Sequence, residues 1–185
     1  TEAATTQTWP NLTLEHALYA LVLLVALALR LWNLGAGPLQ LDEIGTALPA
    51  FRFASGQLTD PQTPASALLF TLTALTFWLA GSSEALARLW PALAGSLLAV
   101  APFLFRRELG RPLALTFATL LSISPLMVAA SRTADSTTLA WLCLVGVLAT
   151  ALHYHKQGNS NALRLMAVLF GLGLATGPAF LTGLL

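Results

Sequence analysis

The chain has 185 residues, of which 56% are hydrophobic and only 9% charged, against roughly a quarter charged in an ordinary soluble domain. Apolar residues at that density, spread over several long blocks, exclude a water-soluble globule and mark a polytopic membrane protein. Nine Lys plus Arg against eight Asp plus Glu leave a formal charge of +1, which excludes the basic field that nucleic-acid binding needs.

The first block runs from about Leu14 to Leu34, is uninterrupted apolar between Ala17 and Leu29, and has Asn11 or Thr13 placed to cap it. Further strong blocks are Glu84 to Phe105, Pro112 to about Ala130, Ser136 to about Tyr154, and Ala162 onward. About 20 residues rising about 1.5 Å each cross a hydrocarbon core about 30 Å thick, so the expected fold is all-α with about five spans. Between the first two blocks lies Ala65 to Ala80, 16 residues interrupted by Ser66, Thr71, Thr73 and Thr76. Hydropathy alone leaves it as a short span or as a surface or re-entrant helix. The chain opens at Thr1 and stops at Leu185 inside an apolar segment. It reads as a single membrane domain, residues 1–185, forming the N-terminal portion of a longer chain.

Charge orients the spans. Arg106, Arg107 and Arg111 make one basic cluster, and His153, His155, Lys156 and Arg164 make the next. The positive-inside rule places both on the cytoplasmic side, and the two spans between them make this self-consistent. Glu84 and Asp135 then lie on the outer side. If Ala65 to Ala80 does not cross, which its length and threonines favour, residues 35–83 form one long external loop. Loops of that length tend to be functional. Its residues Asp42 to Ser55 could form an amphipathic helix in the interface, with Gly45, Pro49 and Gly56 limiting its regularity.

Ionisable residues beside a bilayer are costly, and those that topology does not explain are candidates for function. Asp42 and Glu43 are adjacent carboxylates, which can repel each other and raise one pKa to yield a general base. They could equally cap the surface helix. Asp135 falls on the same side and is placed to cap the helix that begins at Ser136. Arg30, Arg88 and Arg132 could bind a phosphate bidentately, or snorkel, or pair locally as Glu84 with Arg88 at i,i+4. Trp9, Trp32, Trp90 and Trp141 lie near span ends, as an aromatic belt would. Cys143, the single cysteine, reads as a small buried hydrophobe. The three histidines form no ligand set, and no Walker, GxSxG, GxGxxG or HExxH motif is present. No cofactor is indicated, and participation of a divalent metal is left open.

Arg30-Leu-Trp-Asn-Leu-Gly35 followed by Pro38-Leu-Gln-Leu-Asp42-Glu43 resembles the N-terminal region of GT-C fold membrane glycosyltransferases. The nearest likeness is to the family 39 group, which includes protein O-mannosyltransferases and aminoarabinose transferases of lipid A. Ala87-Arg88-Leu89-Trp90-Pro91-Ala92-Leu93 resembles that group's second-span start, and Ser124-Pro125-Leu126 with Ser131-Arg132 to Asp135 resembles its third span and second external loop. The match covers roughly residues 28 to 140. It implies juxtamembrane helices in the first external loop, and a sugar carried on a polyprenyl phosphate and passed with inversion to a lipid, glycan or protein acceptor at the outer membrane surface. By the same resemblance Asp42 is the base on the acceptor hydroxyl, Glu43 its motif neighbour, Asp135 the second-loop acid, and Arg132 a cation near the donor phosphate. Gly45-Thr46 and Gln62-Thr63-Pro64 depart from the aromatic or His, and the Lys or His, that relatives carry there. The alternative is a non-catalytic subunit packed within a larger membrane complex, with small residues such as Gly95, Ser96, Gly146 and Gly171 facing partners. A transporter gains no support, since no span carries an ionisable residue near its middle.

Overall fold

A computed structural model describes residues 14–57 and 65–184. Trp9, the cap candidates Asn11 and Thr13, and Gln62-Thr63-Pro64 lie outside the described residues. Ten α-helices and one 3₁₀ turn make up the described chain, with no strand among the described residues. Helix α1 is Leu14–Leu31, α2 Leu41–Ala54, α3 Ala67–Ala80 and α4 Glu84–Val100. The turn Ala101–Phe105 and the short α5, Arg106–Leu109, continue α4. Then follow α6, Arg111–Ile123; α7, Pro125–Ser131; α8, Thr137–Gln157; α9, Ser160–Ala175; and α10, Pro178–Leu184.

Three stretches are long and apolar enough to cross a membrane: Leu14–Leu31, Glu84–Leu109 and Thr137–Lys156. The expected third span is not one straight helix. It divides into α6 and α7, bent by 60°, because Pro125 has no N–H to give the carbonyl of Leu121 and its ring crowds the preceding turn. Counted as one span, the bent pair brings the total to four. The expected fifth, from Ala162 onward, is the 16-residue α9, which stops at Ala175 before Gly177 and Pro178 start α10.

Helix α3 has 14 residues, about 21 Å at the usual rise, which is too short for a core of about 30 Å. Ser66 caps it by accepting the Leu69 N–H at 3.1 Å, and Gly81, at φ 84°, ends it. Helix α2 forms as an amphipathic helix with Pro49 inside it, whose missing N–H leaves the Gly45 carbonyl without its helical donor. Its Glu43, Ala47 and Ala50 are buried at i, i+4, i+7, while Leu41, Ile44, Leu48 and Phe51 are exposed. That apolar outer stripe suits a helix lying along a bilayer surface. These two helices pack on each other and, through α3, on α4, where Trp90 donates its indole N–H to Thr76 Oγ1 at 2.8 Å and to the Leu72 carbonyl at 3.1 Å.

Helix α4 is the hub, touching α1, α3, α6, α7 and α8. Its buried Ala87, Ala92, Ala94, Gly95, Ser96 and Ala99 keep that face thin, which lets neighbouring backbones come close. Gly95 is the tightest point: a Cβ there would land against Ser131 Cβ and 3.2 Å from Arg30 Nε. The small residues expected to face partner subunits therefore pack, in the cases of Gly95, Ser96 and Gly146, inside this chain, Gly146 against Leu169.

Candidate active site

The helices sort the charges into two ends. At one end Glu15, in the first turn of α1, lies 3.5 Å from both Arg106 and Arg111, and Lys156 reaches Glu108. At the other, the loop after α1 meets the start of α2, the start of α4 and the loop before α8 around one buried ion pair. The 18 residues of α1 set these ends about 27 Å apart.

That ion pair is Glu43 with Arg88. Arg88 Nε donates to Glu43 Oε1 at 2.8 Å and Nη2 to Oε2 at 2.7 Å, the bidentate fork that a guanidinium makes with a carboxylate. Its remaining donors go to the carbonyls of Leu34, Gly37 and Pro38, each at 3.1 Å. Glu43 in turn accepts the Gln40 N–H, which starts α2, and the Ala134 N–H, both at 2.8 Å. Both side chains are nearly sealed from solvent. Arg88 thus pairs with Glu43 across 45 residues, where the sequence spacing pointed to Glu84 one turn away. Burial works against the charged carboxylate, yet the hydrogen bonds from Arg88, Gln40 and Ala134 and the Arg88 charge together hold Glu43 down at about 2.

That depression makes stability pH-dependent. A carboxyl whose folded pKa lies below its unfolded value stabilises the fold fully above the unfolded value, here 4.5, and loses that contribution as pH falls towards 2. About 3 kcal/mol should be lost across that window. An acid titration of the melting temperature in detergent should show the loss, and Glu43→Gln should flatten it.

The Ala134 contact brings the two acidic loops together. Asp42 and Asp135 each stand one residue along from an atom of this junction, and both are exposed. Asp42 accepts no hydrogen bond from the described residues. Asp135 Oδ2 takes the N–H of Thr137 at 3.2 Å and its hydroxyl, so it does contribute to the start of α8.

The other two arginines serve helix ends. Arg30 is 1% exposed and faces no carboxylate. Its Nη2 donates to the Leu121 carbonyl and its Nη1 to the Ser122 carbonyl, both at 3.2 Å, and Nε to Ser131 Oγ at 3.0 Å. Leu121 is the residue whose partner N–H Pro125 lacks, so Arg30 replaces the hydrogen bond that the bend removes. Arg132, half-buried, donates to the carbonyls of Leu29 at 2.9 Å and Asn33 at 3.2 Å, closing the end of α1, where Asn33 takes the left-handed conformation at φ 52°. Sequence reasoning missed both duties. The signal for the first was Pro125 within an apolar block facing an arginine in another span.

Among the described residues no three His, Cys, Asp or Glu side chains gather to hold a metal ion. The acidic end holds three exposed carboxylates, Asp42, Glu84 and Asp135, and an apolar groove of about 290 Å³ between α2 and the start of α4, lined by residues including Ile44, Leu48, Phe51, Phe77 and Glu84. A second apolar groove of about 490 Å³ lies between the end of α2 and α3.

The described helices include three stretches long and apolar enough to cross a membrane, and the exposed carboxylates Asp42 and Asp135 stand at the same end of the bundle as the Glu43–Arg88 pair. The sequence profile of the dolichyl-phosphate-mannose-protein mannosyltransferase family matches residues 63–179, more than half of the chain, and the chain belongs to that family. The family is one of membrane glycosyltransferases that use a lipid-linked sugar, in agreement with the family 39 resemblance. Arg88, Arg132 and Asp135 lie inside the matched stretch, and Asp42 and Glu43 before it. No curated protein and no solved structure matches the chain.

Proposed function

We propose that the chain is the N-terminal part of an inverting transferase that moves a sugar from a polyprenyl-phosphate carrier to an acceptor hydroxyl at the outer face of the membrane. The observation that carries this reading is the Glu43 hydrogen bond to the Ala134 N–H, which ties the loop of Asp42 to the loop of Asp135. The basic clusters at the other end, taken with the positive-inside rule, favour the outer side for this junction.

Asp42 is the general base. As the acceptor oxygen attacks the anomeric carbon, its proton passes to the Asp42 carboxylate. The bond from that carbon to the phosphate oxygen breaks, and the electron pair leaves with the polyprenyl phosphate. Asp135 orients the acceptor or the sugar from the facing loop. Arg132, the most exposed of the three arginines first assigned to phosphate, lies nearest to that duty and offsets charge developing on the leaving group. Arg30, Arg88 and Glu43, which are buried and have their polar atoms engaged within the protein, are positioning residues, whereas Arg132 gives Nη1 and Nη2 to the Leu29 and Asn33 carbonyls but is only half-buried. The carrier's isoprenoid chain stays in the bilayer beside the apolar outer stripe of α2.

The test is sugar transfer by the full-length protein in membranes, supplied either with polyprenyl-phosphate sugars or with nucleotide sugars. The proposal expects transfer from the lipid-linked donor alone, with an inverted anomeric configuration in the product. Direct use of a nucleotide sugar, or a retained configuration, would overturn it.

A further inference from the structure

The arginine-rich end carries a second polar pocket, about 27 Å from the acidic junction by the length of α1. It has a volume of about 260 Å³ and is lined by Glu15, His16, Arg106, Arg107 and Arg111. Its electrostatics differ from those of every other arginine described above. Arg30, Arg88 and Arg132 donate to carbonyls or a carboxylate. Arg106, Arg107 and Arg111 donate no side-chain hydrogen bond to the described residues. Among the described residues the counter-charge of Arg106 and Arg111 is Glu15, 3.5 Å from each, whose buried Oε1 takes no hydrogen bond from them; Arg107 feels the charge of Glu108, which itself pairs with Lys156. The attraction is therefore coulombic, and the guanidinium N–H groups keep their directional capacity for another acceptor.

The pocket is also pre-shaped. Arg106 lies over the Phe103 ring at 4.1 Å, which fixes the plane of its half-buried guanidinium. Among the described residues three arginines and Lys156 stand against Glu15 and Glu108, so an anion entering here meets net positive charge. The site sits where α1 and α6 begin, flanked by exposed Leu14, Leu109 and Leu113. Exposed apolar residues near in sequence to a cationic pocket suit a ligand with a phosphate head and hydrocarbon tails.

We infer that this pocket binds the phosphate of an anionic phospholipid headgroup. Two or more arginines supply the hydrogen bonds, and Glu15 acts as an internal competitor that keeps the cluster folded when no lipid is present. The inference is independent of the transfer reaction, because it concerns the opposite end of the helices.

The experiment uses the full-length protein in mixed micelles of phosphatidylglycerol and phosphatidylcholine, with retained lipid counted by native mass spectrometry. Phosphatidylglycerol should be retained selectively, and Arg107→Gln with Arg111→Gln should weaken retention roughly 10- to 30-fold. Arg164→Gln, which removes an exposed charge outside the pocket, should leave it unchanged. Glu15→Gln should strengthen it, which keeps the inference testable if the double variant folds poorly. Equal retention of both lipids, or equal loss in Arg164→Gln, would overturn the site. Displacement of phosphatidylglycerol by excess inorganic phosphate would overturn the lipid as its source and assign the pocket to a soluble phosphate.

Discussion

Asp42→Asn in the full-length protein should lower sugar transfer roughly 10²- to 10⁴-fold, the usual cost of removing a positioned general base. The substitution should leave the melting temperature unchanged. Asp42 is exposed and accepts no hydrogen bond from the described residues, so an amide of the same shape removes basicity and little else. The loss should fall on kcat, with donor KM nearly unaffected, because the role proposed for the carboxylate is to take the acceptor proton as the new bond forms. Transfer assayed in membranes at matched protein level measures this, and full activity in Asp42→Asn would remove that residue from the chemistry.

Its neighbour should behave in the opposite way. Glu43→Gln is expected to destabilise the protein by about 3–5 kcal/mol, because it leaves the Arg88 guanidinium buried without a counter-charge. Thermal unfolding in detergent should show a lower melting temperature at neutral pH. Arg88→Gln should cost a comparable amount, since it orphans the Glu43 carboxylate and three carbonyls at once. The double variant should be clearly less damaged than the sum of the two, since residues in direct contact couple by about 0.5–3 kcal/mol. Additive losses would mean that the two side chains do not act as a pair. Of the two adjacent carboxylates only Glu43 is buried in an ion pair, while Asp42 is exposed, as the face of α2 that each occupies decides.

That division was partly legible. In the sequence, positions 43, 47 and 50 follow the helical repeat that puts Glu43 among alanines on one face, while Asp42 falls about 100° away. The separation of the charges into two ends was also readable, because it follows from counting spans between arginine clusters, and the Glu15 and Ala134 contacts agree with it. The short apolar stretch before Glu84 was readable from its length. The partner of Arg88 was not, because an i,i+4 carboxylate offered a local choice and the true partner lies 45 residues away. Nor was the bend at Pro125. Hydropathy averages over a proline, and the residue that rescues the freed carbonyl, Arg30, belongs to another helix. Tertiary distance hid these features, since each depends on atoms brought together only by packing.

The account depends on the loops of Asp42 and Asp135 sharing one membrane face, opposite the arginine-rich turn. The direct measurement is labelling of single cysteines, Asp42→Cys, Asp135→Cys and Arg107→Cys, in a Cys143→Ser background with an impermeant thiol reagent on intact cells. The account requires the first two to react from outside and the third only after the membrane is opened. Reaction of positions 42 and 135 from different compartments would contradict it.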